Sequence, residues 1–248
     1  MDHDQYENFS EAYSDSKQSD AVRLIEAPSL LNIIGKVEGL TVLDLACGDG
    51  FYSRKLKEKG AAAVTGVDIS AAMIKLARHR ESLVPQKIQY RCDDVLTMPV
   101  LGAFDLVVAA FLLHYSKDVN ELDLMCQNIC INMASNGRLV TICDNPFQAG
   151  GKYTLYKKYG FIKTIQAPLK NGSGVSYLMA TGKRPFKLRL QHFNASTYET
   201  ALSNAGLTDI KWHELRLSSH GIDAQEAYFW QDYLSNPPVI GLSARMPN

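Results

Sequence analysis

From Leu40 onward the chain alternates short apolar runs with amphipathic stretches. The runs 41–45, 63–67, 87–92, 104–109 and 138–143 have the length and β-branched content of strands. Between them, 51–59, 71–79 and 120–134 carry helical spacing, the last with Leu122, Met125, Ile129 and Met133 as its buried stripe. Such alternation predicts an α/β class with a mostly parallel sheet and helices on both faces. Upstream, 21–35 reads as an apolar helix that Pro28 should kink or restart.

After Pro146 the pattern changes. Residues 152–159 suggest a short helix, and 161–167, 175–180 and 186–193 suggest strands separated by Asn171-Gly172-Ser173-Gly174 and Gly182-Lys183-Arg184-Pro185. We read 150–193 as a small antiparallel β insertion that covers a substrate, within one domain spanning 1–248. Helix 196–205, strand 208–217, a helix near 224–234 and a last strand at 239–244 return to the core pattern.

The chemistry concentrates at the strand ends. Asp44-Leu45-Ala46-Cys47-Gly48-Asp49-Gly50 closes the first strand and opens a helix, so backbone amides come close to a small polar ligand. Asp68 ends the second strand, where it suits two ribose hydroxyls. Ile69 and Met73 offer apolar surface to an adenine, and Asp93, Asp94 and Val95 follow the third strand near its exocyclic amine. Ala110 and Phe111 end the fourth strand toward a reacting centre. Together these features, in this order, read as a pocket for S-adenosylmethionine (SAM), yielding S-adenosylhomocysteine (SAH). A nicotinamide or flavin dehydrogenase fits less well. It wants G-x-G-x-x-G, but Ser53 stands at the third position and Asp49 would bring a negative charge to a pyrophosphate.

The same residues resemble class I SAM-dependent methyltransferases over about 41–137. Tyr13-Ser14-Asp15-Ser16-Lys17, the Asp44 to Tyr52 run, the Phe104 to Leu113 run and Pro237-Pro238-Val239-Ile240 are similar to small-molecule N-methyltransferases of the toxoflavin-pathway type. The resemblance implies a Rossmann-like seven-stranded sheet with its last strand antiparallel. It also implies N-terminal helices (1–35) that fold over the cofactor, with Tyr13 near its methionine end and Tyr6 toward the substrate. His114-Tyr115 departs from that group, which carries an amide and an aromatic there.

His114 is the best-placed candidate base, and Phe111, Tyr115, Asn145, Phe147, His220 and Trp230 are candidate substrate contacts. Lys+Arg and Asp+Glu balance at 26 each, which disfavours nucleic acid or an anionic membrane as partner. The polar N-terminus and the absence of a long apolar run point to a cytoplasmic chain, monomer or homodimer. Five cysteines without C-x-x-C read as reduced thiols, with no metal expected. The expected activity is methyl transfer to a nitrogen or oxygen of a small, heterocyclic metabolite. The alternative is a SAM-binding protein that does not methylate, either a regulatory subunit or an enzyme of SAM-assisted rearrangement or cyclisation.

Overall fold

A computed structural model describes residues 19–180, 185–218 and 224–248. Its centre is a seven-stranded sheet of β1 (Thr41–Leu45), β2 (Ala63–Asp68), β3 (Gln89–Cys92), β4 (Phe104–Val108), β5 (Met133–Asp144), β10 (Thr208–His213) and β11 (Val239–Arg245). The strand order is β10-β11-β5-β4-β1-β2-β3, and β11 runs antiparallel to both neighbours. This is the Rossmann-like arrangement the sequence implied, with the switch in strand order beside β1.

Alternation along each strand splits the core in two. Val42, Leu106, Val108 and Ile142 face α1 (Ala27–Ile34), α2 (Phe51–Glu58) and α3 (Ala71–Leu83). Leu43, Leu45, Val107 and Leu139 face α4 (Val119–Cys130) and α5 (Ala195–Asn204). Before α1, Val22–Glu26 winds as a π-helical turn. Pro28 has no amide to give the Leu24 carbonyl, and the amide of Ser218 takes that place at 2.8 Å. The expected restart at Pro28 is therefore a change of helix type, stabilised from outside.

Two boundaries differ from expectation. The helix expected over 120–134 ends at Cys130, and Met133 opens β5. Asn132, fully buried, makes the break: its Oδ1 accepts the Leu101 amide at 2.7 Å and its carbonyl accepts that of Phe104 at 2.9 Å. The short helix expected over 152–159 is strand β6 (Gly151–Tyr153) followed by a 3-10 turn.

The insertion forms a second sheet, β6-β7-β8-β9, with β7 (Phe161–Ile165), β8 (Ser173–Met179) and β9 (Phe186–His192) all antiparallel. Its inner face carries Phe161, Val175, Tyr177 and Leu190 into the same core as α1 and α2. The helices α6 (Ala224–Phe229) and α7 (Gln231–Ser235) flank it, with Trp230 stacked on Tyr159 at 4.8 Å.

A buried ion pair fastens this sheet to the large one. Lys163 of β7, with no exposed side-chain surface, reaches Asp144 at the end of β5 at 2.7 Å, Gln148 Oε1 at 2.6 Å and the Pro238 carbonyl at 2.9 Å. Tyr177 of β8 donates its hydroxyl to Asp144 at 2.6 Å. Burial pulls the Lys163 ammonium down from its ordinary range, and the Asp144 charge opposes that pull. Lys163→Met should therefore cost roughly 3–5 kcal/mol by urea unfolding, because it strands a buried carboxylate. The paired change Asp144→Leu with Lys163→Met should cost less than half of that, and a double variant as unstable as the single one contradicts the assignment.

Candidate active site

The turn after β1 is built from left-handed backbone: Ala46, Gly48 and Gly50 have φ of 54°, 56° and 79°. Strand β2 holds it. The Cys47 amide donates to the Val67 carbonyl at 3.0 Å, and the Gly48 amide donates to Asp68 Oδ2 at 2.8 Å. The other oxygen of Asp68 accepts the Ser70 amide at 2.9 Å, so one carboxylate fastens both loops. Asp44 shares the face of β1 that packs on α2 and accepts the Ser53 hydroxyl at 2.5 Å. Burial, then the carboxylates of Asp68, Asp44 and Asp49, push the Cys47 thiol well up, which makes it an inert space-filler.

Asp49 behaves differently from the sequence reading. Arg80 of α3 forms an ion pair with it, Arg54 donates to its carbonyl at 2.6 Å, and its Oδ1 accepts the Phe51 amide at 3.2 Å. Its charge is thus neutralised within the protein, and it does not exclude a phosphate ligand by itself. Sequence reasoning also missed Tyr90. Its ring lies over Gly50 and Gly66, where a Cβ would come within 2.2 Å of the hydroxyl and 2.8 Å of the ring. A glycine inside a strand, Gly66, was the available signal for that close approach.

The residues expected near an adenine divide. Ile69 is half-buried, whereas Met73 is fully buried beneath the Ser70 cap, which accepts its amide at 3.2 Å. Asp93 pairs with Arg91 at 2.9 Å, and its amide donates to the Asp68 carbonyl at 3.2 Å. Asp94 accepts the Leu96 amide at 2.9 Å, shaping the turn after β3, and Val95 is buried in the α4 core. Met73 and Val95 support the loops from below.

At the end of β4, Ala110 is buried, and Phe111 has a φ of 62°, a conformation a bulky residue rarely adopts. Its amide donates to Ile142 at 2.8 Å. Strained backbone therefore flanks the site on both sides, at Ala46 and at Phe111. Phe111, His114 and Tyr115 line a cavity together with Glu26, Asp144 and Tyr177.

His114 is a correction to the sequence reading. Its Nδ1 accepts the Asp144 amide at 3.1 Å, so the neutral ring carries its proton on Nε2 and has no lone pair to offer as a base. Three other expectations also change. Phe147 is 62% exposed and packs edge-on against Trp212 at 5.5 Å, away from the cavity. Asn145 spends its side chain on the Pro237 carbonyl at 2.8 Å and on the Phe147 amide at 3.0 Å. Trp230 backs Tyr159 from outside and does not line the cavity. Tyr6, Tyr13 and His220 lie outside the described residues.

Two outcomes follow from this packing. Gly50→Ala should destabilise by about 1–2 kcal/mol in thermal unfolding, from its positive φ and the clash with Tyr90, and Tyr90→Phe should recover part of the loss. No recovery would mean that Tyr90 does not sit on Gly50. Alkylation with iodoacetamide near neutral pH should label the exposed Cys92 first, while Cys47, and Cys126 with its thiol pushed up to about 12 by burial, stay unmodified. Early labelling of Cys47, read by mass spectrometry, contradicts the packed turn.

Residues 42–137 match a family model described as "Methyltransferase domain". The N-demethylindolmycin N-methyltransferase of Streptomyces griseus is 26% identical over 171 residues, covering 68% of this chain and 70% of that one. The ubiquinone biosynthesis O-methyltransferase of Bordetella avium is 29% identical over 46% of this chain and 47% of its own. Apart from the first of these, the chain spans about half or less of the curated relatives it matches. Among solved structures, the CcbJ methyltransferase of Streptomyces caelestis superposes with a TM-score of 0.69 at 19% identity, covering 99% of this chain and 98% of that one. Residues 42–137 are thus similar to a methyltransferase domain, and the seven-stranded sheet has the fold of solved methyltransferase structures.

Proposed function

We propose that the protein transfers the methyl group of SAM to a nitrogen or oxygen of a small, planar, heterocyclic molecule. One observation carries the reading: Asp68 gathers the Gly48 and Ser70 amides while standing at the end of β2, beside the topological switch of the sheet. A carboxylate oxygen has room for a second hydrogen bond, so Asp68 can hold the loops and still accept a ribose diol. A Cβ at Gly48 would meet no described atom within 4 Å, which fits a ligand lying on the backbone there. Asp44 to Gly50 would take the amino-acid end, Asp93 and Asp94 the adenine, and Phe111 the side from which the acceptor approaches.

SAM supplies an electrophilic methyl carbon when bound. The residues of this chain then have to align the acceptor, exclude water and leave its lone pair available. The aromatic walls contributed by Phe111, Tyr115, Phe161 and Tyr177 favour a flat acceptor. With His114 Nδ1 engaged by the Asp144 amide, an acceptor whose lone pair needs no proton removed before attack, such as an amine or ring nitrogen, suits the site better than an alcohol. The Streptomyces griseus relative, named for N-methylation, supports the same preference, and the Bordetella avium relative, named for O-methylation, keeps oxygen in view. Among the described residues no helix is long and apolar enough to cross a membrane, and no cluster of His, Cys, Asp and Glu could hold a metal.

Calorimetry should show SAH binding to the folded chain, and Asp68→Ala should weaken it about tenfold or more, since two hydrogen bonds are worth roughly 1–3 kcal/mol together. An affinity unchanged in a folded variant removes Asp68 from the ribose site. Incubation with methyl-labelled SAM and fractionated extract should label small molecules. Label confined to RNA or protein would sink the small-molecule acceptor.

A further inference from the structure

Asp144 ends β5 beneath the second sheet and lines the aromatic cavity. Its Oδ1 is taken by the Lys163 ammonium and the Tyr177 hydroxyl. Its Oδ2, equally buried, has no hydrogen-bond partner. Neither neighbour can turn to satisfy it. Lys163 is held by Gln148 and the Pro238 carbonyl, and the Tyr177 hydroxyl lies 3.0 Å from that same carbonyl. The Asp144 amide is likewise fixed, on His114 Nδ1. A carboxylate oxygen left in this state costs free energy that a donor on a ligand would restore.

The rest of the cavity narrows what that ligand is. Glu26 also lines it and accepts the Tyr233 hydroxyl at 2.8 Å, so two carboxylates border the space while the Lys163 ammonium stands behind one of them. That charge pattern disfavours anions and suits neutral or cationic molecules. Phe111, Tyr115 and Phe161 supply flat apolar walls.

Resting on the methyltransferase reading, we propose that Asp144 determines acceptor specificity. Its Oδ2 receives an N–H or O–H donor from a planar aromatic molecule that is neutral or cationic. Lys163 and Tyr177 are positioning residues: they fix one oxygen and so present the other.

The test uses the full chain saturated with SAH and two probes, 2-quinolinone and coumarin, which differ by a ring N–H in place of a ring oxygen. Calorimetry should find 2-quinolinone bound about tenfold or more tighter than coumarin, the discrimination expected of a donor to a charged acceptor. In Asp144→Leu with Lys163→Met that ratio should fall to within about twofold, with SAH affinity unchanged, a split that a merely structural role would not give. The unaltered protein supplies a second readout that needs no variant: the N–H proton of bound 2-quinolinone should shift downfield in its NMR spectrum. Equal affinity for the two probes, or an unshifted N–H, overturns the assignment of Asp144 and leaves the SAH site standing. Failure of SAH itself to bind overturns the functional reading instead.

Discussion

A single carboxylate, Asp68, organises the carboxyl edge of the sheet. The turn after β1 holds Ala46, Gly48 and Gly50 in left-handed backbone, a conformation that is costly for Ala46 and that no helix or strand supports. Its amides must therefore be fastened from elsewhere, and Asp68 does this through Gly48 while also closing the turn into α3 through Ser70. Both loops that would cradle a SAM molecule thus share one anchor. The remaining close contacts follow from it. Gly50 and Gly66 leave room for Tyr90, Ser53 pairs with Asp44 under the turn, and Arg80 neutralises Asp49 from α3.

A second charged centre shapes the opposite wall. Burying an ion pair is expensive, and the Asp144–Lys163 pair survives because further polar groups surround it: Gln148, the Pro238 carbonyl and the Tyr177 hydroxyl. The pair joins β5 to β7 and the Tyr177 hydroxyl adds β8, so the position of the second sheet is tied to the end of the strand that borders the cavity. His114 is drawn into the same arrangement through the Asp144 amide. What resembled a base in the sequence is a support for Asp144.

The sheet and the loops after β1 and β2 were legible in the sequence because they depend on local signals. The glycines after β1, the acid after β2 and the strand–helix alternation are each readable within a few residues. The acceptor side was less legible because its contacts are distant in sequence: His114 meets a residue 30 positions away, and Lys163 and Tyr177 converge on Asp144 from two other strands. A signal existed for Lys163. It falls in step with Phe161 and Ile165, both buried, and a lysine on the apolar side of a strand announces a buried partner. Nothing comparable marked Phe147, whose aromatic character suggested a cavity wall although the Asn145 turn carries it outward against Trp212.

On the proposed function, loops tied together at Asp68 bind the adenosyl group and its amino-acid tail. Amide hydrogen exchange with and without SAH tests it most directly, because it reads those backbone groups themselves. Bound SAH should add protection over residues 46–50 and 68–70 and leave α4 and α5 on the far face unchanged. Protection appearing only elsewhere, or none at saturating SAH, would contradict it.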